Sequence, residues 1–142
     1  MIKIFIIILF FFFNSCSTFK KEIVECPKLI SPKKASEIVV NSEKNIPIYI
    51  GLRGVQRSCF KDGDYIQMEL SVNIRAIRND TTMEDYAPVK IAVVSIDSNE
   101  KEFDRDEFNY SQFLLKDSKI VDRVTTFDLK VPTGGQVLLG IK

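Results

Sequence analysis

The chain contains no histidine and no tryptophan, and its charges nearly cancel, with Lys+Arg 20 against Asp+Glu 19. The absence of histidine removes the commonest general base, the Ser-His and Cys-His nucleophile pairs and the commonest metal ligand. Lys3 is the only charged residue among the first fifteen, so residues 16–142 carry 19 basic and 19 acidic side chains. This neutral balance argues against nucleic acid or an acidic surface as a partner. The composition favours a protein that is not an enzyme and needs no cofactor.

A single apolar run opens the chain. It covers residues 4–13 and follows Lys3 directly. Ten residues of helix span about 15 Å, half of a hydrocarbon core of about 30 Å, which is too short for a stable transmembrane helix. A basic start followed by a run of this length is typical of a secretory leader, which we assign to residues 1–15.

Phe13-Asn14-Ser15-Cys16 ends the apolar run and resembles a bacterial lipobox, although Phe13 replaces the usual leucine. The resemblance implies that Cys16 becomes the first residue of the mature protein and carries acyl chains. Each buried CH₂ then adds about 0.8 kcal/mol of membrane affinity. Ser17 stands where an aspartate would retain a lipoprotein in the inner membrane, which favours the outer membrane and its periplasmic side. Ordinary secretion and an uncleaved anchor are the alternatives.

Two cysteines remain if Cys16 is lipidated. Cys26 and Cys59 form an even pair in an exported chain, which favours a disulfide over two free thiols. The bond would close a loop of about 34 residues and contribute roughly 3–4 kcal/mol in the chain-entropy model. A redox motif of the C-x-x-C type is missing, and two thiols without histidine do not make a zinc site.

Residues 64–76 alternate strictly between apolar and polar side chains. A period of two over this length predicts a strand with one face on a core and the other in water. The predicted core face is Ile66, Met68, Leu70, Val72, Ile74 and Ala76, and the predicted solvent face is Gln67, Glu69, Ser71, Asn73 and Arg75.

An Asp-Gly pair at residues 62–63 predicts the tip of a hairpin that leads into this strand. With these two residues at the tip, Phe60 pairs with Tyr65 and Cys59 pairs with Ile66. That register turns Cys59 toward the core, where a disulfide would be sheltered.

The phase of the apolar residues changes near Gly54, which predicts a β-bulge there. In the register above, Arg57 faces inward opposite Met68. A position at the sheet edge or a second irregularity would account for this arginine.

The remaining chain also has strand patterns and turn signals at short intervals. We predict seven or eight strands in an antiparallel, immunoglobulin-like sandwich, with a small lipocalin-like barrel as the alternative. The likeness to immunoglobulins is architectural, since the tryptophan is missing. Further predicted strands are 88–96, one that contains Phe103, 119–131 and 136–141, and the predicted organisation is a leader (1–15), a lipid-anchored tether (16–25) and one domain (26–142).

The charged stretch 101–107 is a candidate calcium site through Asp104, Asp106 and Glu107, but it lacks EF-hand spacing and has basic residues between the acids. We interpret it as a solvated strand or loop with compensating charges, and we predict no metal site. Downstream lies an aromatic cluster that could be a binding surface, but a tryptophan-free core needs phenylalanines, so we predict core packing. The cluster is Phe108, Tyr110 and Phe113.

The order of short motifs is similar to that of a family of small uncharacterised lipoproteins of alphaproteobacteria. The motifs are the lipobox, Cys26-Pro27, Ser58-Cys59, the alternating strand from Ile66 and a late strand at 137–140. This resemblance covers the mature chain and implies no particular activity.

The anchor, the β fold and the lack of catalytic groups favour a non-enzymatic, lipid-anchored protein that binds or scaffolds an envelope protein in the periplasm of a Gram-negative bacterium. A small-molecule or lipid carrier is an alternative and would need an apolar cavity. A carboxylate-based envelope hydrolase is another and would need two acidic groups about 5–10 Å apart.

Overall fold

The computed structural model describes residues 21–142. The predicted leader, Cys16 and most of the predicted tether lie outside this range. Within it the chain forms eight strands and one short helix, whose bounds are β1 Leu29–Ile30, α1 Lys33–Ser36, β2 Glu37–Asn41, β3 Pro47–Asp62, β4 Tyr65–Ile77, β5 Asp85–Ile96, β6 Glu102–Leu114, β7 Ile120–Pro132 and β8 Gln136–Ile141.

The strands form two sheets of four that pack face to face, which confirms the predicted sandwich. Sheet I has the order β2-β3-β4-β7, and sheet II has the order β1-β8-β5-β6. All neighbours are antiparallel except β1 and β8. The described strands do not close into one barrel, so the barrel alternative is wrong for this part of the chain. Three consecutive strands, β2, β3 and β4, are neighbours in sheet I, unlike in constant-type immunoglobulin sheets, so the likeness is one of architecture.

The alternation of β4 fixes which of its faces is buried, as the sequence predicted. Met68, Leu70, Val72, Ile74 and Ala76 are at most 2% exposed, whereas Ile66, near the hairpin, is half-buried. Sheet II supplies the opposite side of this core, mainly from β5 and β8. The fully buried residues there are Ala87, Val89, Ile91, Val93, Val137, Leu139 and Ile141.

The β3–β4 hairpin turns one residue later than predicted. Asp62 pairs with Tyr65, so the two turn residues are Gly63 and Asp64. Only Gly63 has a positive φ, +60°, which fits a type II′ turn with glycine at the first central position. The predicted pairing of Cys59 with Ile66 is therefore wrong, and Cys59 lies opposite Met68. Because the observed partner lies two positions after the predicted one, it is on the same face of β4. Cys59 therefore stays on the core face and is 1% exposed.

The predicted bulge in β3 is confirmed, since the register with β4 shifts between Leu52 and Gly54. Arg57 lies opposite Leu70 rather than Met68. It is exposed, because β2 pairs only with the first part of β3 and leaves Arg57 at the edge of sheet I. Its Nη1 donates a hydrogen bond to the carbonyl of Pro27 at 3.2 Å. The sheet-edge explanation is the correct one.

The structure joins Cys26 to Cys59, with sulfurs 2.11 Å apart, as predicted. The residues just before Cys26 pair with the same stretch of β3. Val24 N donates to the carbonyl of Cys59 at 3.1 Å, and Lys61 N donates to the carbonyl of Glu22 at 2.8 Å. Residues 22–25 were expected to be tether, but these hydrogen bonds make them part of the domain.

Arg78 is buried at the end of β4 and forms hydrogen bonds with two loops. Its side chain is 2% exposed. The guanidinium donates to the carbonyls of Met83 at 2.8 Å and Ser118 at 3.1 Å, and also to those of Leu114 and Leu115. These carbonyls belong to the β4–β5 connection and to the end of β6 with its following loop. Each guanidinium nitrogen donates at least one hydrogen bond, which explains how this buried charged group is tolerated.

Candidate binding surface on sheet I

The solvent-facing side of sheet I carries a row of apolar side chains, one from each strand. Val39 lies opposite Tyr49, Tyr49 opposite Ile77, and Ile77 opposite Ile120. Val39 is 67% exposed and Ile120 is 49% exposed. A sheet with one face on the core normally places polar residues on the other face. We call these four residues the apolar row, since core packing does not account for them.

Gly51 and an ion pair border the apolar row on the hairpin side. A Cβ at Gly51 would lie 3.1 Å from Cε1 of Tyr49, so the glycine makes room for the tyrosine ring. Burial and a hydrogen bond with Glu37 raise the pKa of the Tyr49 hydroxyl, which stays neutral. The Arg75 guanidinium holds Asp122 with two hydrogen bonds of 2.7 and 2.8 Å, and this lowers the pKa of that carboxyl.

A cavity of about 370 Å³ opens beside the apolar row, and three of the four row residues line it. Pro47, Asn79 and Asp80 line the same cavity. The row therefore borders a depression rather than a flat surface. Such a surface suits an apolar side chain of a partner, with polar groups at its margin.

The half of the same face nearer the β3–β4 hairpin is polar. A cavity of about 430 Å³ there is lined by side chains that include Ser58, Ser71 and Thr126. Glu69 and Asp128 lie directly opposite each other on neighbouring strands, an arrangement that like charges normally disfavour. Lys21 Nζ lies 3.9 Å from Glu69, and the Gln67 amide donates to Asp128. These contacts partly offset the repulsion.

The charged stretch 101–107 lies mostly on β6, and its acids hold protein groups. Asp104 accepts the backbone N–H of Lys130 at 2.8 Å, and Asp106 accepts that of Asp128 at 3.1 Å. Glu107 accepts from Lys142 at 3.0 Å and from Arg105 at 2.6 Å, and these hydrogen bonds lower the pKa of its carboxyl. Residues 21–142 contain no cluster of three potential metal-ligating side chains.

Arg105 pairs with Glu102 and Glu107, as the compensating-charge interpretation predicted, but sequence reasoning missed what Asp104 and Asp106 do. Both carboxylates reach across to the free edge of β7 and take the place of a neighbouring strand. The only sequence signal was their spacing of two residues, which puts both on one face of β6.

The aromatic cluster is not core. Phe108 is 37% exposed and Phe113 is 36% exposed, so the core-packing prediction is wrong for both, and Tyr110 is half-buried. The reason is that β6 is the edge strand of sheet II. The Arg123 guanidinium covers the rings of Phe108 and Tyr110, 5.5 and 4.1 Å from their centroids. Phe113 packs against Tyr86 on the outer face, with ring centroids 5.1 Å apart.

Comparison of the chain with protein-family models, with curated proteins and with solved structures gave no match. The resemblance to small lipoproteins thus stays a prediction. Among residues 21–142, no helix has the length and apolar character needed to cross a bilayer. Cys16, the predicted lipidation site, lies outside the described residues.

Proposed function

We propose that this chain is a non-enzymatic, lipid-anchored protein of the bacterial envelope that binds or scaffolds another envelope protein through the outer face of sheet I. The observation that supports this most is the apolar row. Exposed apolar surface that is continuous across a whole sheet marks contact sites more often than scattered exposed residues do.

The surroundings of the apolar row resemble the anatomy of a protein interface. Such interfaces combine an apolar centre with a polar rim. Here the rim is the Arg75–Asp122 ion pair on one side and the polar residues Asn79 and Asp80 on the other. The polar cavity near Ser71 extends the same face and offers hydrogen-bonding groups to a larger partner.

The place where the chain would leave for the membrane does not obstruct this surface. Lys21 lies near Phe60, beside the β3–β4 hairpin. The apolar row crosses β4 at Ile77, its other end. The 13 residues of β4 span about 40 Å. An anchor attached before Lys21 therefore leaves the apolar row accessible.

Replacing the two most exposed positions of the row tests the binding role. In the double variant Val39→Thr with Ile120→Thr, both side chains keep their β-branched shape and lose apolar surface. We expect a change below about 0.5 kcal/mol in the free energy of unfolding. We expect crosslinked pulldown from intact cells to lose most of the protein captured by the wild type.

Ile23→Thr is the matched control, because Ile23 is 80% exposed and lies in the segment next to β3, away from the row. It should capture the same proteins as the wild type. An unchanged capture pattern with the double variant would show that the row is not the contact surface.

Lipidation is tested separately from binding. Metabolic labelling with a fatty-acid probe should tag the wild type, and Cys16→Ala should lose both the label and retention in the membrane fraction. The reason is that several acyl chains hold a protein firmly, whereas none remains on alanine. A soluble and unlabelled wild-type protein would refute the anchor while leaving the binding role of sheet I open to its own test.

A further inference from the structure

One edge of β6 faces no other strand of the described residues 21–142. Lys142 N donates to the carbonyl of Lys90 at 2.8 Å, so the backbone of Lys90 faces the β8 side of β5. Successive residues alternate sides, and the neighbours Val89 and Ile91 therefore face β6. Val89 and Ile91 pair with Tyr110 and Phe108, so the backbone groups of these two aromatic residues face β5. The N–H and C=O groups of the alternate residues Asn109 and Ser111 therefore point away from β5, along the outer edge of sheet II.

Two other strands in the described chain have parts of their edges protected. The carboxylates of Asp104 and Asp106 occupy N–H groups of β7. In β5 the carbonyl of Tyr86 accepts from Glu43 N, and the carbonyl of Lys90 accepts from Lys142 N. Pro88 lies between these two residues and has no N–H to offer another strand. The edge of β6 has no such protection beyond residue 107.

Residues 108–114 of β6 form an uncharged run, Phe-Asn-Tyr-Ser-Gln-Phe-Leu. It contains no proline and no glycine, and three of its seven residues are aromatic. Long uncharged edges of this kind readily pair with another strand, which is why proteins normally place charges or proline on them.

We infer that this edge pairs antiparallel with the same edge of a second copy of the chain, around a two-fold axis at Ser111. Ser111 is the central residue of the uncharged run. When two copies pair antiparallel, only an alignment centred on Ser111 places the whole run of one copy beside the whole run of the other. The result is a continuous eight-stranded sheet that joins the two copies of sheet II.

The charges at the two ends of the run support this occupant. The run is preceded by an acidic stretch with Asp106 and followed by Lys116. Antiparallel pairing about Ser111 brings the acidic end of one run, with Asp106 and Glu107, close to the point where the other copy enters the β6–β7 turn at Lys116. Opposite charges therefore meet at both ends, and the uncharged residues meet in the middle.

The position of β6 leaves its edge accessible. Asn109, Ser111 and Phe113, whose backbone groups lie on this edge, are all exposed. A seven-residue seam is smaller than a standard protein interface, so the association should be reversible.

Cysteine crosslinking of the full chain in its membrane tests the inference. Paired directly across the axis, two Ser111 residues have Cα atoms about 5.5 Å apart, within disulfide range. Ser111→Cys should therefore give a disulfide-linked dimer on mild oxidation. Asn109→Cys is the matched control, because its two copies would lie about 13 Å apart and should stay unlinked.

A charge variant gives a second measurement that needs no cysteine. Ser111→Lys places two like charges opposite each other and should weaken association about fivefold or more, as measured by light scattering of the extracted protein. Ser98→Lys, in the β5–β6 turn, should have no effect. Three results would overturn the inference: no link in Ser111→Cys, equal linking in both cysteine variants, or a link from Ser111→Cys to a different protein.

Discussion

Loss of the Cys26–Cys59 bond should lower the free energy of unfolding by roughly 2–5 kcal/mol. The bond spans 33 positions and restricts the unfolded chain over that length. It also holds residues 22–26 against β3, where they bond the backbone of Cys59 and Lys61. Chemical denaturation of Cys26→Ala measures the effect with Cys59 still in the core, so no cavity is created at the buried position.

The double variant Cys26→Ala with Cys59→Ala separates the two contributions. It should be less stable than the single variant by the cost of a small cavity at Cys59, which is 1% exposed. Protein from the periplasm should show the bond by mass spectrometry of a non-reduced digest, and protein made in the cytoplasm should not. Free thiols in periplasmic material, or a Cys26→Ala variant as stable as the wild type, would contradict this expectation.

Leu70→Ala should destabilise the protein by about 2–5 kcal/mol. Leu70 is 1% exposed in the middle of β4, between β3 and β7, and its replacement leaves a cavity that two sheets cannot close without moving. Equilibrium unfolding in denaturant gives the difference directly.

Glu69→Ala and Ser71→Ala are the matched controls, because they flank Leu70 and face the solvent side of sheet I. Each should change stability by no more than about 0.5 kcal/mol. Removing Glu69 also removes its repulsion with Asp128, so a small gain in stability is the direction we expect there. A harmless Leu70→Ala together with destabilising controls would reverse the facing of β4.

Local patterns in the sequence predicted the parts of the fold that depend on alternation and turn chemistry. The faces of β4, the bulge near Gly54 and the Cys26–Cys59 pair follow from signals within a few residues or from simple counting. The hairpin register was wrong by one turn position, because Asp62-Gly63 and Gly63-Asp64 both fit a two-residue turn. The structure selects the second, in which only glycine needs a positive φ.

The features that the sequence did not reveal are all long-range. Arg78 has no local signal, since its carbonyl partners come from residues up to 40 positions away. Phe108 and Phe113 were wrongly expected in the core. Their burial depends on where β6 lies in its sheet, which the sequence does not show. The apolar row was equally hidden, because its members come from four strands and become neighbours only through pairing.

The attachment of residues 22–26 to β3 sets how far the domain can stand from a bilayer. For a molecule anchored at Cys16, the six residue steps to Glu22 can span at most about 20 Å. Without the bond at Cys26 and the pairing beside it, the next backbone–backbone hydrogen bond is at Lys28, whose carbonyl accepts from Val137 N at 2.9 Å. The twelve residue steps from Cys16 to Lys28 can span about 40 Å. For a molecule anchored at Cys16, the disulfide would therefore limit how far the domain can lie from the bilayer.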